Sequence, residues 1–177
     1  MNDKGEVVRT ERVFEGKLLK VDREEVVLPG GKRATLETIR HPGAAAALPF
    51  FDDGTVMLIR QYRHAAGGFI LEVPAGKLAP GEPPADCIAR ELEEEIGYRP
   101  GRLVELGSIL TTPGFTDEVI WLFEAHALEP GQLDLGEDEV IEPVRVPFDT
   151  AVGWVLDGTI RDVKSVSSIL KAHARRR

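Results

Sequence analysis

The stretch Gly76–Tyr98, GKLAPGEPPADCIARELEEEIGY, decides how the rest of the chain is read. Six carboxylates fall within its fourteen residues Glu82–Glu95, one just before the adjacent prolines Pro83 and Pro84 and five after them. Proline is tolerated in a first helical turn, so a helix should begin near Pro83 and stop at Gly97. At about 100° per residue from Leu92, the apolar Ala85, Ile88, Ala89, Leu92 and Ile96 lie within about 60° of one direction and form a core-facing stripe. On the same scale Glu95 lies at about −60°, Glu91 at about −100° and Glu94 at about −160°. Three carboxylates therefore share one flank with Arg90, while Glu93 falls on the other flank as a solvated charge.

That arrangement is unfavourable for a helix taken alone. Glu91 and Glu95 are a like-charge pair one turn apart, costing about 0.2–0.5 kcal/mol. Negative charge near a helix C-terminus also opposes the macrodipole by about 0.3–1 kcal/mol per residue. A solvated acidic face would show the same crowding, and charge clustering alone favours that simpler explanation. A divalent cation would reverse the sign of the repulsion, because hard oxygen ligands on one face suit Mg²⁺.

The 177 residues suffice for one domain with a small subdomain and a substantial core. A net charge of −8 argues against a general nucleic-acid binder. Arg175–Arg177 read as a solvated terminus that complements a helix dipole. The single cysteine, Cys87, excludes an intramolecular disulfide and a multi-cysteine zinc site. No apolar run approaches a membrane span, and the N-terminus is polar, so the expectation is a soluble cytoplasmic protein.

Residues 1–43 read as an antiparallel β-subdomain: two strands in VVRTERVFEGKLLKVDREEVVL, the turn LPGGKR, and a third strand, ATLETIR. Residues 44–177 form the main domain. There AAAALPFF, the turn DDG and TVMLIRQYR look like a buried hairpin, followed by one strand at FILEVPAG. Strands at about 102–110 and 118–128 flank the loop TTPGFTDE. After an acidic loop and the strand VIEPVRV come two helical patterns, DTAVGWVLDG and SVSSILKAHA. The mixture lacks regular βαβ alternation, which predicts an α+β fold or an α/β/α sandwich around a mixed sheet.

The spacing Gly76, five residues, Glu82, seven residues, then Arg90-Glu91-Leu92-Glu93-Glu94-Glu95-Ile96-Gly97-Tyr98 resembles the signature box of the Nudix hydrolases. Tyr98 is the one departure, at a packing position that is usually aliphatic. The resemblance implies a Nudix-type α/β/α sandwich with a mixed sheet and a loop-helix-loop that binds Mg²⁺, with Mn²⁺ a possible substitute. It implies metal ligation by Glu91, Glu94, Glu95 and the Ala75 carbonyl. Arg90 would orient these carboxylates, and Glu82 would be an outer carboxylate. Cys87 reads as a packed, inert thiol, although it shares the acidic flank.

Pro113 in TTPGFTDE, the segment LPFFDDGTVMLIRQYRHAAGGFILEVPAG and the tail DGTIRDVKSVSSIL are similar to the ADP-ribose pyrophosphatase branch. What this resemblance implies is hydrolysis of ADP-ribose to AMP and ribose 5-phosphate by a homodimer paired through its N-terminal strands. GDP-mannose and other nucleoside-diphosphate-sugar hydrolases share the architecture and remain alternatives. In this branch a loop carboxylate activates the water; Glu137 and Glu139 match it, with Glu137 slightly favoured. Arg63 matches an arginine on the substrate diphosphate. Arg40, Glu118 and Pro113 are further candidates around the substrate. A non-catalytic nucleotide-sugar sensor is the rival class, but such proteins usually lose box carboxylates, and all are present here. An enzyme that removes damaged nucleoside triphosphates is disfavoured by the N-terminal subdomain and Pro113.

Overall fold

The computed structural model describes residues 4–17, 19–136 and 139–177. They form two compact units, Met1–Gly43 with Leu110–Val119, and Ala44–Ile109 with Ile120–Arg177.

The smaller unit is an antiparallel sheet of β1 (Glu6–Glu15), β2 (Lys20–Val27) and β3 (Arg33–Arg40), in that order. The β2–β3 turn places Gly30 and Gly31 at φ +89° and +87°, which L-residues with a side chain rarely adopt. Alternation along β2 buries Asp22, Glu24 and Val26 on one face. The two buried carboxylates are paired: Asp22 with Arg12 and Arg40, and Glu24 with Arg40, Thr10 and Thr38. The segment Leu110–Val119 joins this unit through the Ile39–Thr116 bridge and the bond from Ile39 N–H to the Phe115 carbonyl, at 2.7 Å.

The larger unit holds β4 (Ala44–Pro49), β5 (Thr55–Arg63), β6 (Gly68–Glu72), β7 (Ala75–Lys77), β8 (Tyr98–Leu110), β9 (Val119–Pro130) and β10 (Ile141–Pro147). They form two sheets, ordered β10-β5-β6 and β7-β4-β9-β8. Its helices are α1 (Pro84–Ile96), α2 (Phe148–Leu156) and α3 (Val163–Arg175). All six residues of β4 are buried, because successive side chains serve two cores. Ala44, Ala46 and Leu48 join Val56, Leu58, Leu122 and the α2 and α3 residues Ala151 and Ile169. Ala45 and Ala47 join Met57, Ile59, Phe123 and the α1 residues Ile88 and Leu92. The layering is therefore an α/β/α sandwich around parallel (β4–β9) and antiparallel pairs, as expected.

Two expectations are corrected. β4 and β5 are not a paired hairpin: beyond one Phe50–Val56 bridge they belong to different sheets. The reason is that β4 is a central strand whose two edges are taken by β7 and β9. FILEVPAG is not one strand either; it breaks at Val73-Pro74, where the chain passes from one sheet (β6) to the other (β7). Proline has no N–H for a ladder, which favours the break there.

Candidate active site

Helix α1 begins after Pro83 with proline at its first position and ends at Gly97, whose φ of +71° is the left-handed cap. Its buried side is rotated from the apolar stripe read in the sequence: Cys87, Ile88, Leu92, Glu95 and Ile96 are buried, whereas Ala85 and Ala89 are half-buried. A carboxylate and a thiol thus lie in the interface. Cys87 Sγ donates to the carbonyls of Gly76 and Lys77, and burial pushes the thiol up to about 12. It is packed and unreactive at neutral pH.

Arg90 gathers three carboxylates. Its Nη1 donates to Glu91 Oε1 at 2.8 Å and to Glu94 Oε2 at 2.9 Å. Its Nε and Nη2 reach Glu82 at 3.2 and 3.3 Å, and Glu82 also accepts from the Ala79 N–H. Glu95 is tied to the preceding loop instead, accepting from the Ala75 N–H at 3.0 Å. Gly76 lies directly under Glu91: a Cβ there would come within 1.8 Å of the Glu91 carboxyl carbon. A side chain at the head of the box would push the Glu91 carboxylate out of its place.

The electrostatics show how closely the acids are set. Burial raises the Glu91 carboxyl above its ordinary value; the Arg90 contact opposes this, and repulsion from Glu94 and Glu139 reinforces it. Burial and then Glu91 push Glu95 up to about 8, with Glu139 and Glu72 adding smaller increments. Glu139 therefore lies within electrostatic reach of both Glu91 and Glu95. It is exposed and accepts from the Gly136 N–H at 2.9 Å. Glu137, the other loop candidate, lies outside the described residues.

Of the remaining candidates, Arg63 belongs to the larger unit and donates from Nε to Glu72 at 2.8 Å. Arg40, Pro113 and Glu118 belong to the smaller unit. Arg40 commits all three guanidinium nitrogens to Asp22, Glu24 and Asp117. Glu118 accepts from Thr111 Oγ1 at 2.8 Å and lies 3.4 Å from His41 Nδ1. Sequence reasoning missed Glu72, a fully buried acid near Glu95 that anchors Arg63. Its signal was a lone carboxylate ending the apolar run FIL.

The donor set fits a hard divalent cation. The acids supply oxygen ligands, and Gly76 leaves room for Glu91. The buried Gln61 Oε1 has no hydrogen-bond partner among the described residues. It lies two residues from Ile59 in β5, on the sheet face that packs against α1. Arg90 bridges Glu91 and Glu94, and no three His, Cys, Asp or Glu side chains among the described residues form an ion cage.

A loop, a helix capped at Gly97 and a set of inward carboxylates on an α/β/α sandwich define a class, and the sequence comparisons name it. The NUDIX domain matches residues 40–167, and the chain belongs to that family. The ADP-ribose pyrophosphatase of Bacillus subtilis (strain 168) is 37% identical over 92% of this chain and 89% of its own length. The methanol dehydrogenase activator of Bacillus methanolicus is 36% identical over the same shares. A GDP-mannose pyrophosphatase of Yersinia enterocolitica (serotype O:8 / biotype 1B, strain NCTC 13174 / 8081) is 38% identical over 72% of this chain and 71% of its own. A crystal structure of an ADP compounds hydrolase matches with a TM-score of 0.84 over 97% of this chain and 94% of that one. At 24% identity that last likeness speaks for the fold.

Proposed function

We propose that this chain is a metal-dependent diphosphatase that hydrolyses ADP-ribose, or a related nucleoside diphosphate sugar, to AMP and ribose 5-phosphate. The observation that carries the reading is the set of carboxylates held on one flank of α1: Arg90 ties Glu91 and Glu94, Glu95 accepts from the Ala75 N–H, and Glu91 lies directly over Gly76. The relatives named for ADP-ribose and GDP-mannose hydrolysis support the substrate class.

Mg²⁺, or Mn²⁺ in its place, would be held by Glu91, Glu94, Glu95 and the Ala75 carbonyl. When bound it supplies charge neutralisation on the diphosphate oxygens and activation of the attacking water. The chain's own groups do the rest. Arg90 holds Glu91 and Glu94 in fixed rotamers. Arg63 presents its terminal nitrogens to a diphosphate oxygen. A loop carboxylate, Glu139 or Glu137, takes the proton of the water as its oxygen bonds to one phosphorus. The bridging oxygen leaves with the other phosphate, giving two monophosphates. The family resemblance alone proposes Arg40, Pro113 and Glu118, of the smaller unit, as further substrate contacts. A cytoplasmic location belongs to the same proposal. No helix among the described residues is long and apolar enough to cross a membrane.

The test is a product assay across ADP-ribose, GDP-mannose, other nucleotide sugars and nucleoside triphosphates, with Mg²⁺ and with chelator. The expected result is Mg²⁺-dependent AMP and ribose 5-phosphate from ADP-ribose as the preferred substrate. Preference for GDP-mannose would move the substrate within the class. No turnover of any diphosphate would contradict the reading.

A further inference from the structure

The geometry points to Lys164, on the far side of the sheet from the acidic helix, as a positioning residue for the diphosphate-binding arginine, a claim that rests on the proposed diphosphate chemistry. Glu72 is fully buried and bridges two cations. Its Oε1 accepts from Arg63 Nε at 2.8 Å, and its Oε2 is paired with Lys164 Nζ. Lys164 is itself buried and also contacts Asp162 at 3.0 Å. The four charges Arg63, Lys164, Glu72 and Asp162 balance, so the buried pair Glu72–Lys164 and its two less buried partners are neutral as a group.

Lys164 reaches this place because of how the sheets divide. At Val73-Pro74 the backbone leaves β6 for β7, and the first turn of α3 is bonded to the chain there. Asp162 caps α3 by accepting from the Ser165 N–H and hydroxyl, and Ser165 Oγ in turn accepts from the Val73 N–H at 2.8 Å. One helical turn thus fixes both the Glu72 carboxylate and the backbone two residues before Ala75.

The consequence falls on Arg63. Only its Nε is committed, and its Nη1 and Nη2 have no partner among the described residues. A guanidinium anchored by Nε keeps its outer pair of N–H groups in one plane and one direction, the arrangement that suits two oxygens of an anion. Without Lys164, one oxygen of Glu72 would be unpaired and the carboxylate would be free to rotate away from Arg63. The lysine therefore acts on substrate affinity through Glu72 and Arg63, without touching substrate.

The test compares wild type with Lys164→Met, Lys164→Arg, Arg63→Gln and the Arg63→Gln/Lys164→Met double variant. Steady-state kinetics on ADP-ribose are paired with calorimetric titration of inorganic pyrophosphate. Lys164→Met is expected to raise KM, and the pyrophosphate Kd, about tenfold with a smaller change in kcat, the signature of lost uniform binding. Lys164→Arg should recover most of the loss. The double variant should match Arg63→Gln alone, because a residue acting through Arg63 adds nothing once Arg63 is gone. If Lys164→Met fails to fold, Glu72→Gln/Lys164→Met removes both buried charges together and should show the same rise. A KM and Kd within twofold of wild type in the folded variant, or losses that multiply in the double variant, would overturn the inference. Failure of wild type to hydrolyse ADP-ribose would count against the proposed function alone, since the pyrophosphate Kd still reads the positioning of Arg63.

Discussion

Glu95 carries the contradiction that the sequence raises at Gly76–Tyr98. It is buried on the helix flank nearest the core, beside Glu91, and a single N–H from Ala75 favours its charge. Its carboxyl is raised from an ordinary 4.5 to about 8. For a group raised in the folded state, the stabilisation is complete below the unfolded value and is lost as pH rises through the folded one. In chelator the protein should therefore lose stability between about pH 4.5 and 8 from this residue, and Glu95→Gln should flatten that slope. Thermal melts of both proteins across this range, with EDTA, make the check; a parallel slope in the variant would mean that Glu95 is not the source. Glu139 and Glu137 carry a kinetic prediction. The true base, replaced by Gln, should lower kcat by about 10²–10⁴-fold with KM changed much less. The resemblance to the ADP-ribose pyrophosphatase branch favours Glu137, which lies outside the described residues, and Glu139 lies within electrostatic reach of Glu91 and Glu95. If both variants keep wild-type kcat, the base is not in this loop.

At the scale of elements, the last turn of α3 shows how the far layer is held. Arg176 donates to both oxygens of Glu124, at 2.7 and 3.0 Å, and to the Ala172 carbonyl, while its guanidinium covers the Phe50 ring at 4.0 Å. Glu124 is buried and shares its other contact with His126. The basic terminus thus does more than solvate a helix end. Arg176→Ala should lower stability by about 1–3 kcal/mol, the range for stranding a buried acceptor, measured by urea unfolding; a loss under about 0.5 kcal/mol, as for an exposed pair, would refute it. The legibility of the sequence divides at this scale as well. Helix α1 and its acids were readable because period, caps and chemistry overlap within 23 residues, Gly76–Tyr98. The β4–β5 hairpin was misread because DDG is a good turn, while the fact that decides pairing, β9 lying parallel beside β4, comes from distant sequence. The Glu72–Lys164 pair was invisible for the same reason: its members are 92 residues apart, and each is unremarkable in its own segment.

For the whole molecule, the N-terminal unit is where apolar surface lies open. Every residue of β1 is exposed, Phe14 and Phe115 are 54% and 52% exposed, and Val7, Val8 and Leu36 are open as well. Apolar surface of this kind in a small sheet marks an interaction face. The chain is predicted to form a homodimer that requires residues 1–43, and light scattering at micromolar concentration checks it. A monodisperse, fully active monomer would refute the pairing.

The crowded carboxylates of α1 are proposed to hold a catalytic cation. The most direct measurement of that role is a Mg²⁺ titration of AMP release from ADP-ribose by wild type and by Glu95→Gln, with circular dichroism confirming that both are folded. Wild type is expected to show saturable Mg²⁺ activation and no turnover with chelator, and Glu95→Gln to lose turnover at every Mg²⁺ concentration. Turnover by the folded variant within twofold of wild type, or wild-type turnover that persists in chelator, would contradict that role.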